Sequence, residues 1–380
     1  MRLASTLASL VVFLAHSTVS QAWYTVIQPL DTIWLSAPDK SINASYLPFG
    51  ATQTSVWVND KYGTPRDLVL GYDNVTTYLD PPSRYFGPIV GRYANRIKNG
   101  TFELDNVTYT IVKNENDGLD TLHGGSIGWD SRPWTVVAWS ESSVTFYLQD
   151  VAGSMGFPAT VEAYVTYTLY NDAALTIEIN ATADGETPIL LSSHDWWNLE
   201  GYYSYDGQNS SILNHTFYTP DVTSYVAADG ILIPTGELPS VEGTPLDFRT
   251  ARTIGSEFNE TVDVCGTGCT GYDTCFVRDH NGTDSTLALE LYSPASGIKL
   301  SISSEQHAIQ LYSCDGLDGT IPAKASQGGL DGVVYSQYSC AVLEMEEVID
   351  AINNPEWGID SIYGPDRPYT WSATYNFTIV

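Results

Sequence analysis

Hydrophobic and polar residues alternate along much of this chain. Apolar side chains occupy every second position in five segments, at residues 161–169, 175–179, 287–291, 298–302 and 371–379. A period of two is typical of β-strands that bury one face and expose the other. The pattern therefore predicts a protein built mainly from half-buried strands.

Turn sequences separate the predicted strands at short intervals, for example at residues 105–106, 116–118 and 281–282. Only residues 346–353, which are followed by Pro355, have the composition of a helix of about two turns. The chain has no linker, low-complexity run or clear repeat. We interpret it as all-β, with one large antiparallel β-sandwich and few short helices.

The N-terminus, residues 1–22, has the pattern of a secretory signal peptide. Arg2 supplies the positive charge, residues 7–15 form the apolar core, and Ser20 and Ala22 occupy the small-residue positions before the cleavage site. The apolar core is too short to span a bilayer, which takes about 20 residues. We therefore expect a soluble, secreted, extracellular protein whose mature part, residues 23–380, forms a single domain.

The chain is strongly acidic. It carries 16 basic and 45 acidic residues, a net charge of −29, and loss of the signal peptide with Arg2 makes the charge −30. A surface of this sign argues against nucleic acid, anionic membranes and polyphosphates as partners. Solubility outside the cell is the simpler reason for so high a charge.

Ten asparagines stand in N-x-S/T sequons, the acceptor pattern for N-linked glycans. They are Asn43, Asn74, Asn99, Asn106, Asn180, Asn209, Asn214, Asn259, Asn281 and Asn376. Together with the signal peptide, they indicate a glycoprotein of a eukaryotic secretory pathway.

Five cysteines, an odd number, occur in the chain. Cys265 and Cys269 flank a Gly-Thr-Gly loop that is short and flexible enough for a local disulfide, and Cys314 and Cys340 can form a second. Cys275 lies in an apolar stretch and is interpreted as a buried thiol. The sequence does not fix this pairing. No CxxC or CxH spacing indicates a zinc site, so no metal is expected.

Two histidines stand where backbone and aromatic groups could surround a ligand. His123 lies between Leu122 and two glycines, which allow the backbone to approach a ligand closely. His194 follows an apolar run and precedes Trp196 and Trp197, as expected of a ring at the end of a strand beside an aromatic platform for a sugar. Packing in the hydrophobic core is the alternative for both.

The remaining histidines are weaker candidates. His16 belongs to the signal peptide. His215 lies in a sequon and His280 in a turn, so we expect both at the surface. His307 stands in a polar loop before a strand.

Glu344 and Asp273 differ from the many acids that water can solvate. Glu344 follows an apolar run at the predicted end of a strand, and Asp273 stands between an aromatic residue and an apolar strand. Burial is costly for a carboxylate unless it is paired or used, and it raises the pKa toward that of a working base. A capping or ion-pair role is the alternative for each.

Seven motifs, in order along nearly the whole mature chain, match a known family. They are FGPIVGRYANRI (86–97), LHGGSIGWDSRPW (122–134), SSHDWWNLEG (192–201), TPLDFR (244–249), GYDTCFV (271–277), IQLY (309–312) and LEMEEVIDAINNP (343–355). On these motifs the chain resembles the aldose 1-epimerases, or galactose mutarotases, whose fold is a large antiparallel β-sandwich.

The resemblance implies an activity and a set of site residues. Family members interconvert the α- and β-anomers of free aldohexoses such as glucose or galactose by cofactor-free opening and closure of the ring. By resemblance, Glu344 is the general base that takes the proton of the anomeric hydroxyl, and His194 is the general acid that protonates the ring oxygen. The residues that resemble the sugar-binding set are Asn95, Arg96, His123, Asp273 and Gln310. A small sugar is the implied partner, and we expect a monomer.

The chain departs from the family pattern next to the acid and the base. Ser193 replaces the usual Asn, Trp196-Trp197 replaces Tyr-Phe, and Met345-Glu346 replaces Thr-Gln. The segment from residue 312 to residue 340 is also longer. These departures keep the acid and the base but leave the exact substrate open.

Two other functions stay open on the sequence alone. A secreted carbohydrate-binding protein could keep the sandwich without turnover, although the presence of both acid and base argues against it. A mutarotase that acts on oligosaccharides would follow if the longer segment and the two tryptophans widened the pocket.

Overall fold

The computed structural model describes residues 27–81, 84–202, 210–279 and 286–380. The predicted signal peptide, His280 and the sequons at Asn209 and Asn281 lie outside these residues.

Twenty-eight β-strands make up much of the described chain. Their bounds are β1 Ile33–Ser36, β2 Ile42–Leu47, β3 Thr52–Asn59, β4 Pro65–Asp67, β5 Ile89–Val90, β6 Arg96–Ile97, β7 Thr101–Leu104, β8 Val107–Thr110, β9 Thr121–Leu122, β10 Thr135–Trp139, β11 Ser143–Asp150, β12 Val161–Tyr170, β13 Ala174–Ala183, β14 Thr187–Pro188, β15 Ser192–Ser193, β16 Trp196–Trp197, β17 Thr216–Tyr218, β18 Val222–Tyr225, β19 Arg252–Thr253, β20 Asp273–Arg278, β21 Leu287–Tyr292, β22 Ile298–Ser304, β23 Ala308–Tyr312, β24 Asp318–Pro322, β25 Val334–Ser336, β26 Ala341–Glu346, β27 Ile362–Tyr363 and β28 Tyr369–Ile379.

The five alternating segments all form strands, as predicted. In β12, β13, β22 and β28 the burial of the side chains alternates with the sequence pattern. In β21 a register shift between Leu287 and Leu289 interrupts the alternation. The apolar face of each strand is the buried one.

The strands form three larger sheets, and their pairings are antiparallel. The first sheet has the order β10-β11-β12-β13-β28-β22-β21-β17-β19, the second β1-β2-β3-β4, and the third β16-β26-β23-β20-β18. The other strands form two-stranded pairs.

The two smaller sheets pack against the nine-stranded sheet. Tyr46 of β2 lies on Tyr167 of β12 with ring centroids 4.4 Å apart, and Trp197 of β16 lies 5.8 Å from Tyr375 of β28. All four rings belong to one continuous cluster of buried apolar side chains. Removal of this surface from water is the main driving force for the fold. The all-β antiparallel sandwich is confirmed.

The helical elements of the described chain are short 3₁₀-helices. They span Val75–Leu79, Lys98–Gly100, Asn116–Gly118, Trp129–Ser131, Ser154–Gly156, Ile212–Asn214, Ile254–Glu260, Ala325–Gln327, Gly329–Asp331, Ala351–Asn353 and Pro355–Trp357. Within the described ranges, none of the helices has the length and apolar character needed to cross a membrane.

The helix predicted at residues 346–353 is wrong over most of its length. Glu346 is the last residue of β26, and only Ala351–Asn353 makes a 3₁₀ turn. β26 pairs with β23 as far as Glu346, so sheet pairing overrides the local helical composition.

The cysteines pair as the sequence suggested. Disulfides join Cys265 to Cys269 and Cys314 to Cys340, while Cys275 is a buried free thiol.

The adjacent tryptophans point to opposite faces of the five-stranded sheet, because successive side chains of a strand alternate in direction. Trp197 is fully buried in the sandwich core beside Tyr375. Trp196 packs on the other face, against Phe86 and Tyr312. The shared aromatic platform expected from the sequence is therefore not formed.

We expect Trp197→Ala to lower the free energy of unfolding by about 3–5 kcal/mol, because it leaves a cavity at a fully buried aromatic site. Trp197→Phe keeps an aromatic ring and should cost less. Urea unfolding followed by circular dichroism measures both. Unchanged stability of Trp197→Ala would contradict the placement of this ring in the core.

Candidate active site

The seven site residues proposed from the sequence line one pocket. Its volume is about 410 Å³, within the range of about 300–1,000 Å³ of small-molecule sites. Its walls include Asn95, Arg96, His123, His194, Asp273, Gln310 and Glu344. The fold thus brings together all seven residues from distant parts of the chain.

Three of these residues come from adjacent strands of the five-stranded sheet. Gln310 of β23 is the direct cross-strand neighbour of Glu344 in β26, and Asp273 begins β20 on the other side of β23. Gln310 Nε2 donates a hydrogen bond to Asp273 Oδ1. These contacts hold the two carboxyl groups and the amide on one face of the sheet.

Glu344 lies inside β26, not at its end as predicted. Its neighbours in sequence, Leu343 and Met345, are buried in the sandwich core. Because side chains alternate along a strand, the packing of these two residues aims Glu344 into the pocket.

Asn95 and His123 hold each other across two loops. Both adopt left-handed backbone conformations, with φ values of 57° and 48°. The Asn95 N–H donates to His123 Nδ1 at 3.1 Å, and the His123 N–H donates to Asn95 O at 3.1 Å. Such conformations are costly and collect at functional sites, where the surroundings fix them. Since Nδ1 accepts, the proton of the neutral His123 ring resides on Nε2.

Gly124, the first glycine of the LHGG motif, is needed for the close approach of these loops. Its φ is +84°, and a Cβ atom there would lie 2.3 Å from Gly91 O. Any larger residue would separate the loops that carry His123 and Arg92.

His194 lies between β15 and β16, where Trp196 fixes its tautomer. Trp196 Nε1 donates to Tyr85 O at 2.8 Å and to His194 Nδ1 at 3.0 Å. An indole N–H can only donate, so this contact selects the neutral His194 ring with its proton on Nε2. That nitrogen lies 3.6 Å from Glu344 Oε1.

Burial shifts the pKa values of this pair in opposite directions. Desolvation and then the charge of Asp273 raise the pKa of Glu344 to about 8, against the opposing charge of Arg96. Desolvation lowers the pKa of His194 to about 4, against smaller effects of backbone carbonyls, including that of Tyr85. Between these values the pair holds one proton, which resides on Glu344.

Arg96 is a buried cation of the pocket wall. Its guanidinium makes hydrogen bonds of 2.7 and 2.9 Å to the two oxygens of Glu115, and lies 3.9 Å from Asp120 and 4.0 Å from Asp273. A bidentate pair fixes the plane of the guanidinium. Arg96 therefore has a set orientation beside the carboxyl groups of the pocket.

His123, His194 and Glu344 also form a group whose donor atoms lie within 4.8 Å of one another. Two histidines and a carboxylate can bind a metal. Here, however, Nδ1 of each histidine accepts an N–H bond, so each Nε2 carries the proton and cannot coordinate. A second group is built on the Cys265–Cys269 disulfide, whose sulfurs are already bonded. The donor chemistry favours an acid–base site over a metal centre.

Tyr85 is a pocket residue that the sequence did not reveal as one. Its ring packs against His123 and His194, with centroids 4.7 and 5.7 Å away. It thereby forms an aromatic wall over both histidines.

Glu346 is a second residue that sequence reasoning missed. It is buried on the same face of β26 as Glu344, and its Oε1 accepts a 3.3 Å hydrogen bond from Asn95 Nδ2. Burial and then the charge of Glu344 hold the pKa of Glu346 well above its usual range. The spacing of two residues from Glu344 was the available signal, but the helix predicted there obscured it.

Two other histidines lie away from the pocket. His215, expected at the surface, is fully buried, and its Nε2 accepts the Leu199 N–H at 3.2 Å. Desolvation lowers its pKa to about 4, so the ring serves as a neutral acceptor in the interior. His307 forms an ion pair with Glu347, at 2.5 Å.

Comparison with known proteins identifies the family of this chain. The sequence profile described as Aldose 1-epimerase matches residues 31–376. A probable aldose 1-epimerase of Arthroderma benhamiae is 40% identical, over 92% of this chain and 87% of its own. The galactose mutarotase of Homo sapiens is 30% identical, over 89% of this chain and 92% of its own.

A solved structure agrees as well. The GalM/aldose epimerase homologue from C. elegans has a TM-score of 0.80 and 29% identity, and the match covers 92% of this chain and 99% of that one. Motifs, fold, pocket and relatives coincide, and on these grounds this chain belongs to the aldose 1-epimerase family of isomerases.

Proposed function

We propose that this protein interconverts the α- and β-anomers of free aldohexoses such as glucose or galactose, with Glu344 as general base and His194 as general acid. The observation that carries the proposal is the 3.6 Å separation of His194 Nε2 and Glu344 Oε1 within the pocket. The anomeric hydroxyl O1 and the ring oxygen O5 are bonded to the same carbon. An acid and a base this close can therefore reach both oxygens of one bound sugar.

Ring opening requires two proton transfers. The Glu344 carboxylate takes the proton of O1–H while the C1–O1 bond becomes a carbonyl. The C1–O5 bond breaks, and its electron pair takes a proton from the His194 imidazolium. The aldehyde end rotates, and the reverse transfers close the ring on its other face. General acid and base catalysis each typically contribute about 10²–10⁴-fold.

The reacting form needs the single proton of the pair on His194, whereas the free protein holds it on Glu344. Both ring nitrogens of the imidazolium carry protons, so the contact of Trp196 Nε1 with His194 Nδ1 is lost in this form and the indole donates to Tyr85 O alone. The attraction between carboxylate and imidazolium partly offsets the cost of separating charge. A sugar hydroxyl that donates to Glu344 stabilises the ionised form further. The number of protons on the pair, not the pKa of one member, then determines which pH values support catalysis.

Buried acceptors without partners favour a ligand rich in hydroxyl groups. Gln310 Oε1 and Glu344 Oε2 are buried and accept no hydrogen bond from the described chain. An unsatisfied buried acceptor is costly, and sugar hydroxyls would satisfy both atoms. The residues that we propose hold the sugar are Asn95, Arg96, His123, Asp273 and Gln310. Their fixed geometry would orient C1 and O5 before reaction.

The pocket favours a monosaccharide over an oligosaccharide. Its volume is only about 410 Å³. Trp197, which could have extended an aromatic platform, lies in the core. Trp196 is part of the pocket wall but is largely buried against Phe86 and Tyr312. We therefore propose free aldohexoses as the substrates.

We also propose that the protein is an exported glycoprotein that acts as a monomer. The N-terminal pattern and the sequons support export, and two disulfides suit an oxidising compartment. All seven proposed site residues belong to one chain, so one protomer supplies a whole pocket.

Glu344→Gln and His194→Asn should each slow anomer equilibration by about 10²–10⁴-fold, because each removes one proton transfer. Polarimetry of freshly dissolved α-glucose, α-galactose and a disaccharide, corrected for the spontaneous rate, measures this effect and the substrate range. His307→Asn is the matched control, since His307 pairs with Glu347 and does not line the pocket. Unchanged rates in both active-site variants would refute the assignment. A wild-type protein that binds sugars without accelerating exchange would instead favour the carbohydrate-binding alternative.

The kcat/KM for anomer exchange should be highest between about pH 4 and about pH 8. Below this window both groups are protonated and the base is lost, while above it both are deprotonated and the acid is lost. Polarimetry across both limits, with the uncatalysed rate subtracted at each pH, gives the profile. A pH profile of kcat/KM with a single inflection, at the ordinary pKa of histidine, would contradict catalysis by the coupled pair.

Glu346→Gln should keep most of the activity, whereas Glu346→Ala should raise KM by up to about tenfold. The raised pKa of Glu346 predicts a neutral carboxyl group, and Gln is also neutral and keeps an oxygen that accepts from Asn95 Nδ2. Ala removes this acceptor. Steady-state polarimetry separates KM from kcat. Equal loss in both variants would show that the carboxyl group itself, not its acceptor oxygen, is required.

A further inference from the structure

A second concave surface lies away from the active-site pocket. An open groove of about 840 Å³ runs between the outer face of the β1–β4 sheet and the end of β10, and it shares no lining residue with that pocket. Three tryptophans line it: Trp34, Trp57 and Trp139. Trp34 is 55% and Trp139 is 60% exposed. Exposed aromatic rings grouped in one groove are typical of a binding surface.

A glycosylation sequon opens into this groove. Asn43, of the sequon Asn-Ala-Ser, lies in β2, and its side chain is part of the groove wall. Its cross-strand neighbours are Ser36 in β1 and Trp57 in β3. Directly opposed residues of antiparallel strands have Cβ atoms about 4.5–5.5 Å apart. A group attached to Asn43 would therefore start beside the Trp57 ring.

The amide of Asn43 has a defined orientation. Ser36 Oγ donates a 2.6 Å hydrogen bond to Asn43 Oδ1. This contact leaves Nδ2, the atom to which an N-linked glycan is attached, at the other end of the amide. The walls on either side also contain Lys40 and Glu141, one cation and one anion, so the groove has no charge excess that would repel a neutral sugar.

We propose that Asn43 carries an N-linked glycan whose first sugar rings lie in the groove against Trp34, Trp57 and Trp139. Tryptophan faces pack against the apolar C–H faces of sugar rings and remove both surfaces from water. Because the glycan is covalently attached, its effective concentration at the groove is high, and weak stacking contacts are enough to keep it there. The glycan covers aromatic surface that the chain itself leaves exposed.

The modification follows the ordinary chemistry of N-glycosylation. A bond forms between Asn43 Nδ2 and C1 of the first N-acetylglucosamine of a lipid-diphosphate-linked oligosaccharide. The bond from C1 to the diphosphate oxygen breaks, the lipid diphosphate leaves, and the amide nitrogen loses one proton. The inference depends on the proposed export but not on the proposed anomer exchange, since the groove and the pocket have separate walls.

The first test is the occupancy of Asn43. The full chain is produced in a eukaryotic secretory host, purified from the medium and analysed by peptide mass spectrometry after enzymatic trimming of the glycans. We expect N-acetylglucosamine on the peptide that contains Asn43. An unmodified Asn43 in the secreted protein would overturn the proposal. This holds even if the unmodified protein binds an added oligosaccharide in the groove.

The second test is whether the glycan covers the tryptophans. Asn43→Gln should increase the quenching of tryptophan fluorescence by acrylamide and lower Tm by about 2–4 °C. Asn180→Gln is the matched control, because Asn180 is an exposed sequon asparagine in β13 whose cross-strand neighbours are Tyr164 and Thr370. We expect no change in quenching for this control, and no change in anomer exchange for either variant. Equal quenching of Asn43→Gln and wild type would show that the glycan does not lie in the groove.

Discussion

The desolvation of the Glu344 carboxyl group is the constraint on which the site depends. A carboxyl buried inside a strand is costly as an anion, and its raised pKa reflects that cost. The surroundings compensate only in part: His194 lies 3.6 Å away, and the charge of Arg96 opposes the shift. The Glu344 carboxyl group can therefore both gain and lose a proton, whereas a carboxylate in a structural ion pair would stay ionised.

The pocket combines two kinds of support. The sheet supplies Asp273, Gln310 and Glu344, whose spacing is set by the register of β20, β23 and β26. The loops supply Asn95 and His123, whose left-handed conformations are maintained by reciprocal hydrogen bonds. Glu346 connects the two, because this sheet residue accepts the hydrogen bond of the Asn95 amide. Loop and sheet are thus linked directly by a side-chain hydrogen bond.

The alternation of apolar and polar residues was sufficient to predict the long strands and the sandwich, because a strand that buries one face has an apolar residue at every second position. The seven site residues came from motifs resembling a known family, and the structure brings all of them to one pocket. Contacts distant in sequence account for the errors. Pairing with β23 made Glu346 a strand residue, and interior packing buried His215 despite its sequon. Likewise, the bond from Trp196 to His194 depends on a loop geometry that no spacing specifies.

The alternation along β26 has a consequence for how this protein can change. Leu343 and Met345 fill the sandwich core, while Glu344 and Glu346 occupy the opposite face. Deleting or inserting one residue within the strand would exchange the two sets, placing carboxyl groups in the core and apolar side chains in the pocket. Substitutions can adjust either face separately, but changes in length cannot. The evolution of the pocket along this strand is therefore restricted to residue exchange, and variation in length must occur in the connecting loops.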